Sequence, residues 1–313
     1  MHMNTISSLK TLYQSGKIEK QDFILQALKI HNGLFDYIDI TKSTDINEIR
    51  VTSEGIRFEM GDDKICMFAP PNEARVAPIE VMNFGQYEPY ETKVMDLISD
   101  NALNVLDIGA NIGWFSVRFA KRLRNARIYA FEPMPETFHF LQRNISENKV
   151  GEVVSSYNYG LSEKSGCSTF YIAPQNGTNA SLQNVSGVTN ARKVLGLTMT
   201  LDEWRENMQV KVDFIKCDVE GAEYLVFKGG RHALQNDKPV IFTELLRKWT
   251  KPFGYHPNDL VFFLKELGYD CYAISNDSVI RLENINEETI ETNYVFLNRS
   301  VHASIISKLD TIS

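Results

Sequence analysis

From about residue 88 the chain alternates short apolar runs with amphipathic stretches, and glycine-bearing turns separate them. Residues 104–108, 126–131, 152–159, 168–172, 212–217 and 240–243 read as strands, being short, apolar or alternating, and bounded by turn residues. Between them, residues 114–123, 135–148, 201–208, 222–233 and 258–267 carry apolar positions at helical spacing. Thr200 followed by Glu203 marks one helix start as a capping box. Strand and helix in alternation predict an α/β, doubly wound Rossmann-like fold, with a mostly parallel sheet covered by helices on both faces. The closely spaced late strands, 269–274, 279–282 and 293–297, predict an antiparallel edge strand.

The first part of the chain reads differently. Ile6, Leu9, Leu12 and Tyr13, then Ile24, Leu25, Leu28 and Phe35, predict two short amphipathic helices over residues 5–39, punctuated by Gly16 and Gly33. Residues 56–60 alternate, 61–64 are turn chemistry and 65–68 resume, which is a β-hairpin signal. The expected organisation is an N-terminal helical and β-hairpin extension, residues 1–83, and a catalytic domain, residues 84–313.

Composition narrows the function classes. Of 313 residues 43% are hydrophobic and 23% charged, as in an ordinary globular chain. The net charge of −7 offers no footprint for nucleic acid. Cys66, Cys167, Cys217 and Cys271 are far apart, with no metal-ligand spacing, and read as reduced thiols. No apolar run reaches membrane-span length and no basic-then-apolar leader is visible, so a cytoplasmic location is expected. The amphipathic helices over residues 5–39 read as packing onto the main domain or onto a second copy in a homo-oligomer.

The strongest local chemistry is Val105-Leu106-Asp107-Ile108-Gly109-Ala110-Asn111-Ile112-Gly113, an apolar strand running into a glycine turn and a helix. Nineteen residues after Gly113 stands Glu132, at the end of the next strand, where a carboxylate can accept both hydroxyls of an adenosine ribose. A dinucleotide fold calls for G-x-G-x-x-G, but the second and third glycine positions hold Asn111 and Trp114. Asp107 would also repel a pyrophosphate, whereas it suits a cationic ligand with an amino group and a sulfonium. Both observations favour S-adenosylmethionine. The alternative is a nicotinamide-dependent, short-chain-type oxidoreductase built on Tyr224-x-x-x-Lys228, although the glycine pattern of those enzymes fails at Phe115.

Downstream lie Phe214-Ile215-Lys216-Cys217-Asp218-Val219-Glu220-Gly221-Ala222-Glu223 and then Phe227-Lys228-Gly229-Gly230. Upstream lies Phe84-Gly85-Gln86-Tyr87-Glu88-Pro89, and between them Leu201-Asp202-Glu203-Trp204. In this order with the glycine turn, the chain resembles the FkbM methyltransferase family over roughly residues 84–297. The resemblance implies that Asp107, Gly109, Asn111 and Gly113 line the methionine part of the cofactor. It implies that Glu132 holds the ribose with Phe131 beside it, that Glu88 stands near the amino group, and that the segment around Gly160 passes the adenine. It also implies O-methylation of a hydroxyl on a sugar, glycolipid or polyketide-type product. A nucleotide-activated sugar or surface glycan is the acceptor expected here.

A sugar hydroxyl must lose its proton or be polarised before it attacks. Asp218 ends the strand 212–217, and Glu244 ends the next, 240–243; His256 lies in a later loop. These three are the candidate catalytic groups. If the two strands are neighbours, Asp218 and Glu244 could instead hold Mg²⁺ or Mn²⁺ in the manner of catechol-type methyltransferases. Glu223 reads as a helix-capping acid. Residues 174–196, rich in Asn, Gly, Ser and Thr, read as a substrate loop, and Arg192, Lys193, Arg247 and Lys248 are candidate phosphate clamps.

Overall fold

The computed structural model describes residues 5–173, 179–275 and 278–309. Helices α1 (Ile6–Gln14) and α2 (Lys20–Ser43) come first, with Tyr13 stacked on Phe23 at 5.1 Å. Strands β1 (Ile46–Thr52), β2 (Gly55–Met60) and β3 (Ile65–Phe68) form a small antiparallel sheet. Helices α3 (Ala77–Phe84) and α4 (Pro89–Ser99) lead into the alternating part. There β4 (Asn104–Ile108), α5 (Trp114–Arg122), β5 (Arg127–Phe131), α6 (Pro135–Glu147) and β6 (Val154–Tyr157) follow one another. A second small sheet holds β7 (Gly160–Leu161), β8 (Gly166–Ile172), β9 (Ala180–Ser181) and β10 (Arg192–Met199). The chain then returns through α7 (Leu201–Met208), β11 (Phe214–Cys217), α8 (Glu223–Lys228), α9 (Arg231–Asp237) and β12 (Val240–Glu244). It ends with α10 (Arg247–Thr250), α11 (Pro257–Glu266), β13 (Tyr269–Ile274), β14 (Val279–Leu282), β15 (Asn293–Asn298) and α12 (Ala303–Leu309).

The central sheet has the order β14-β13-β15-β12-β11-β4-β5-β6. Neighbours from β6 through β12 pair in parallel. This is the doubly wound α/β sheet that the alternation predicts. The edge strand β14 is antiparallel to β13, as expected. A second antiparallel strand, β15, lies inside the sheet, inserted between β12 and β13.

Period-two alternation along the buried strands divides the core between the two sheet faces. On β5, Ile128 and Ala130 join one apolar cluster, while Tyr129 and Phe131 join the other. Val105 and Phe214 pack with α4 and α5 through Val94, Ile98, Phe115 and Phe119. Leu106 and Ile215 pack on the opposite face with Trp204, Phe227, Leu234 and Leu264. Asp107 and Lys216 are next to those residues in sequence, so alternation turns both toward the face covered by α4 and α5.

Three local expectations are revised. The second helix runs through Gly33 without a break, so α2 has 24 residues; a mid-helix glycine costs only about 1 kcal/mol. The hairpin gains a third strand, β1, paired with β2. The helix expected over residues 222–233 is divided at Gly229-Gly230 into α8 and α9. A Cβ on Gly229 would lie 2.1 Å from the Ser162 carbonyl oxygen, so the chain passes there without room for a side chain. The four cysteines are free thiols.

Candidate active site

Sheet order changes direction at β4, with β5 and β6 on one side and β11 and β12 on the other. Open α/β sheets leave a crevice at the strand ends beside such a switch point. A cleft lies there, walled by the turns after β4, β5 and β11.

The first wall is the glycine turn. Gly109 has φ +80°, and a Cβ on it would stand 1.8 Å from the backbone oxygen of Asp218. Only glycine lets β4 and β11 close to that distance. The Gly109 and Ala110 amides both donate to the Phe131 carbonyl, at 3.0 and 2.9 Å, which ties the turn to β5. The Asp218 amide donates to the Ile108 carbonyl at 3.0 Å, which ties it to β11.

Glu132 forms the second wall. Its carboxylate is buried and accepts the Asn111 amide at 3.1 Å and the Met134 amide at 2.9 Å. Each carboxylate oxygen has two lone pairs, so one on each remains for a ligand. Burial pushes the group up to about 8, against the two amide hydrogen bonds that favour its charged form.

The third wall centres on Lys216, which the sequence reading quoted without giving it a role. Its Cα is the register partner of Asp107 across the parallel pair β4–β11. Its ammonium lies 3.3 Å from Asp218 Oδ2, 3.9 Å from Asp107 Oδ1 and 5.2 Å from the centre of the Phe115 ring. Burial disfavours its charge, yet Asp218, Asp107 and Glu88 together hold its pKa above the ordinary lysine value. Ser116 Oγ donates to Asp107 Oδ2 at 2.6 Å, while Asp107 Oδ1 is buried without a hydrogen-bond partner. A lysine in the middle of an apolar strand was the signal, because a fully buried lysine needs paired charges.

More acids crowd the rim. Burial, reinforced by neighbouring carboxylates, raises Glu88 to about 7 and Glu244 to about 9, and raises Glu220 well above its usual range. Glu223 rises to about 7 by burial while its Oε1 accepts the Val219 and Gly221 amides. It ties together the loop before α8 and does not cap the helix as its sequence position suggested, since α8 has no side-chain cap hydrogen bond.

The candidate residues fall into groups. Gly109, Asn111, Glu132, Gly160 and Asp218 line the cleft. Asp107 and Gly113 are buried directly behind the glycine turn, and Phe131 is a core ring stacked on Tyr157 at 5.1 Å. Glu88 opens α4 in a left-handed conformation, within electrostatic reach of Lys216. Asp218 and Glu244 do end adjacent strands, since Cys217 and Thr243 are register partners. Their place as metal ligands is not supported: Lys216 already provides the cation beside Asp218. No group of three or more His, Cys, Asp or Glu side chains among the described residues is arranged to hold an ion.

His256 is exposed and lies away from the cleft lining. Its Nδ1 accepts the Asn258 amide at 3.2 Å and its own amide donates to Asp259, a capping box for α11. In the substrate loop, residues 174–178 lie outside the described residues. Further along, Asn179 donates to Glu220 Oε1 at 2.6 Å, and Ser181 Oγ donates to the Glu220 carbonyl at 2.7 Å. Residues 192–199 form strand β10 rather than loop.

The FkbM methyltransferase domain matches residues 107–271. The chain belongs to the FkbM methyltransferase family. It is 35% identical over 136 residues to the hexuronic acid methyltransferase AglP of Haloferax volcanii, a match covering 43% of this chain and 53% of that protein. The chain thus spans about half the length of that relative. It is 26% identical over 194 residues to the methyltransferase sdnD of Sordaria araneosa, covering 53% of this chain and 73% of sdnD. A crystal structure of an FkbM methyltransferase from Methylobacillus flagellatus aligns at 18% identity and a TM-score of 0.41, covering 63% of this chain and 44% of that one.

Family membership removes the oxidoreductase alternative, and so does the geometry. Tyr224 packs its ring against Tyr255 and Phe263, Lys228 pairs with Glu163, and neither lines the cleft. No helix among the described residues is long and apolar enough to cross a membrane.

Proposed function

We propose that this protein transfers a methyl group from S-adenosylmethionine to a hydroxyl of a sugar. The observation that carries the reading is the crowding of carboxyl groups at the cleft. Glu132, Asp218 and Glu220 line it, and Glu88 and Glu244 stand close by, while Lys216, the one buried cation among the described residues, is shared among three acids. A cationic occupant lowers the raised pKa values of Glu132 and Glu220 and lets them ionise against it, whereas a pyrophosphate would gain nothing from them.

The residues fit that cofactor. Asp107 Oδ1, buried and without a hydrogen bond, with the Lys216 ammonium 3.9 Å away, is an acceptor suited to a further ammonium group. The lone pairs left on Glu132 suit two ribose hydroxyls. When bound, the cofactor supplies a methyl group made electrophilic by a positively charged sulfur. Asp218, with 37% of its side chain exposed, is the carboxylate placed to take the proton of an acceptor hydroxyl. Lys216 fixes one of its oxygens and leaves the other for the acceptor. Glu244, held at about 9, keeps its proton at neutral pH and is a hydrogen-bond donor there rather than a base. The sugar acceptor is supported by the name of the Haloferax relative, a hexuronic acid methyltransferase.

The test is a mass-spectrometric screen of free and nucleotide-linked sugars with S-adenosylmethionine, alongside calorimetric titration with S-adenosylhomocysteine and with NADH. One added methyl mass on a sugar is the expected result. Tight NADH binding without homocysteine-nucleoside binding would overturn the reading. Asp218→Asn is expected to bind S-adenosylhomocysteine as the parent does and to lose roughly 10²–10⁴-fold in turnover, the usual contribution of a general base. Unchanged turnover removes Asp218 from the proton transfer.

Binding should also release protons. Two ribose hydroxyls donating to Glu132, which stands at about 8 in the free protein, lower its pKa and drive its proton off near neutral pH. Calorimetry at pH 7 in two buffers of different ionisation enthalpy measures that release for S-adenosylmethionine. Equal heats in both buffers contradict it.

A further inference from the structure

Among the described residues that line the cleft, two are cationic, Lys216 and Arg75. Lys216 is enclosed by Asp107, Asp218 and Glu88 and has no charge to spare for a ligand. Arg75 is different. It stands on the segment between β3 and α3, with 65% of its side chain exposed. Its Nε is held by Glu80 at 2.9 Å, and it is near enough to Glu220 to favour that acid's charged form.

The basic residues that the sequence offered as anion clamps are elsewhere. Arg192 pairs with Glu136, and Arg247 donates to the Asn286 and Thr289 carbonyls. Lys193 lies over the Tyr171 ring and Lys248 over that of Trp249, and none of the four lines the cleft. Any ligand carboxylate entering the cleft therefore meets Glu132, Asp218 and Glu220, and finds one compensating charge.

We infer that Arg75 is the carboxylate-binding residue of this cleft. The inference rests on the reading of the cleft as an S-adenosylmethionine site. A guanidinium anchored at one nitrogen presents its remaining N–H groups as a preset fork, which matches a carboxylate. Two ligands can bring that group: the amino-acid tail of the cofactor, or an acidic sugar acceptor.

Calorimetry on the full chain and on Arg75→Ala and Arg75→Lys separates these sources. The first pair of probes is S-adenosylhomocysteine and methylthioadenosine, which lacks the amino-acid tail. The second pair, titrated into the S-adenosylhomocysteine complex, is D-glucuronate and D-glucose. In Arg75→Ala one carboxylate-bearing probe is expected to weaken by roughly tenfold or more, with partial recovery in Arg75→Lys, as loss of a charge-assisted contact requires. Its carboxylate-free counterpart keeps its behaviour. A loss confined to S-adenosylhomocysteine assigns Arg75 to the cofactor tail, and one confined to glucuronate assigns it to the acceptor. The inference fails if Arg75→Ala weakens neither carboxylate, or weakens the carboxylate-free probes as much. Parent protein that binds no S-adenosylhomocysteine sinks the cofactor reading and this inference with it.

Discussion

Gly109→Ala is expected to destroy nucleoside binding and to destabilise the protein by about 2–6 kcal/mol, the sum of a strained backbone and an overfilled contact. The residue sits at φ +80°, where a side chain is strained whatever the space around it. The new Cβ would fall 1.8 Å from the Asp218 carbonyl oxygen, a backbone atom with no rotamer to change. Movement is blocked from both sides. The Gly109 and Ala110 amides are fastened to Phe131, and the Asp218 amide to Ile108. To admit the methyl group, β4 and β11 must part at the point where Lys216 bridges Asp107 and Asp218. Urea unfolding measures the stability, and calorimetry with S-adenosylhomocysteine measures the binding. Near-parental values in both would mean that the turn can move, contrary to the contacts that fix it.

How far this site can be read without coordinates depends on how local each feature is. The glycine turn and Glu132 were legible because strand, turn and strand-end acid follow one another along the chain. The Asp218–Glu244 adjacency was legible too, since consecutive strands joined by a helix usually become neighbours. Lys216 was not. Its role comes from register, lysine opposite Asp107 on a strand distant in sequence, and apolar patterning along β11 says nothing of register. Arg75 was missed for the same kind of reason: it comes from the extension before the alternating elements, and only tertiary packing brings it to the cleft. The sheet made by β8 and β10 was half hidden as well. Its strands flank a stretch rich in Asn, Gly and Ser, and Gly196 interrupts the apolar alternation of β10, so turn chemistry outweighed strand signal. His256 misled in the opposite sense. A histidine near the cleft in sequence order proved to be a helix cap, a local role that its place before Pro257 and Asp259 already allowed.

Lys216→Met should cost about 3–5 kcal/mol at neutral pH, the usual penalty for removing one member of a buried ion pair and leaving the other uncompensated. Methionine has similar length and is apolar, so lost packing is a small part of the effect. The charge is the larger part. Without the ammonium, Asp107 is left fully buried beside Asp218 with hydrogen bonding from Ser116 but no opposite charge to offset it, and Glu88 loses a favourable neighbour. These acids already have raised pKa values in the folded state: Asp107 stands above its usual value through burial, and Glu88 is near 7. A carboxyl group whose pKa is higher folded than unfolded binds its proton more tightly in the folded form. Its destabilising effect is therefore absent below the unfolded value near 4 and grows as pH rises toward the folded value. The deficit of Lys216→Met should accordingly be small near pH 4 and widen steadily up to pH 8, because the missing cation raises those folded values further. Urea unfolding of parent and variant across that range reads the difference directly. A deficit that stays constant with pH would show that lost packing, not lost charge, is what the substitution removes.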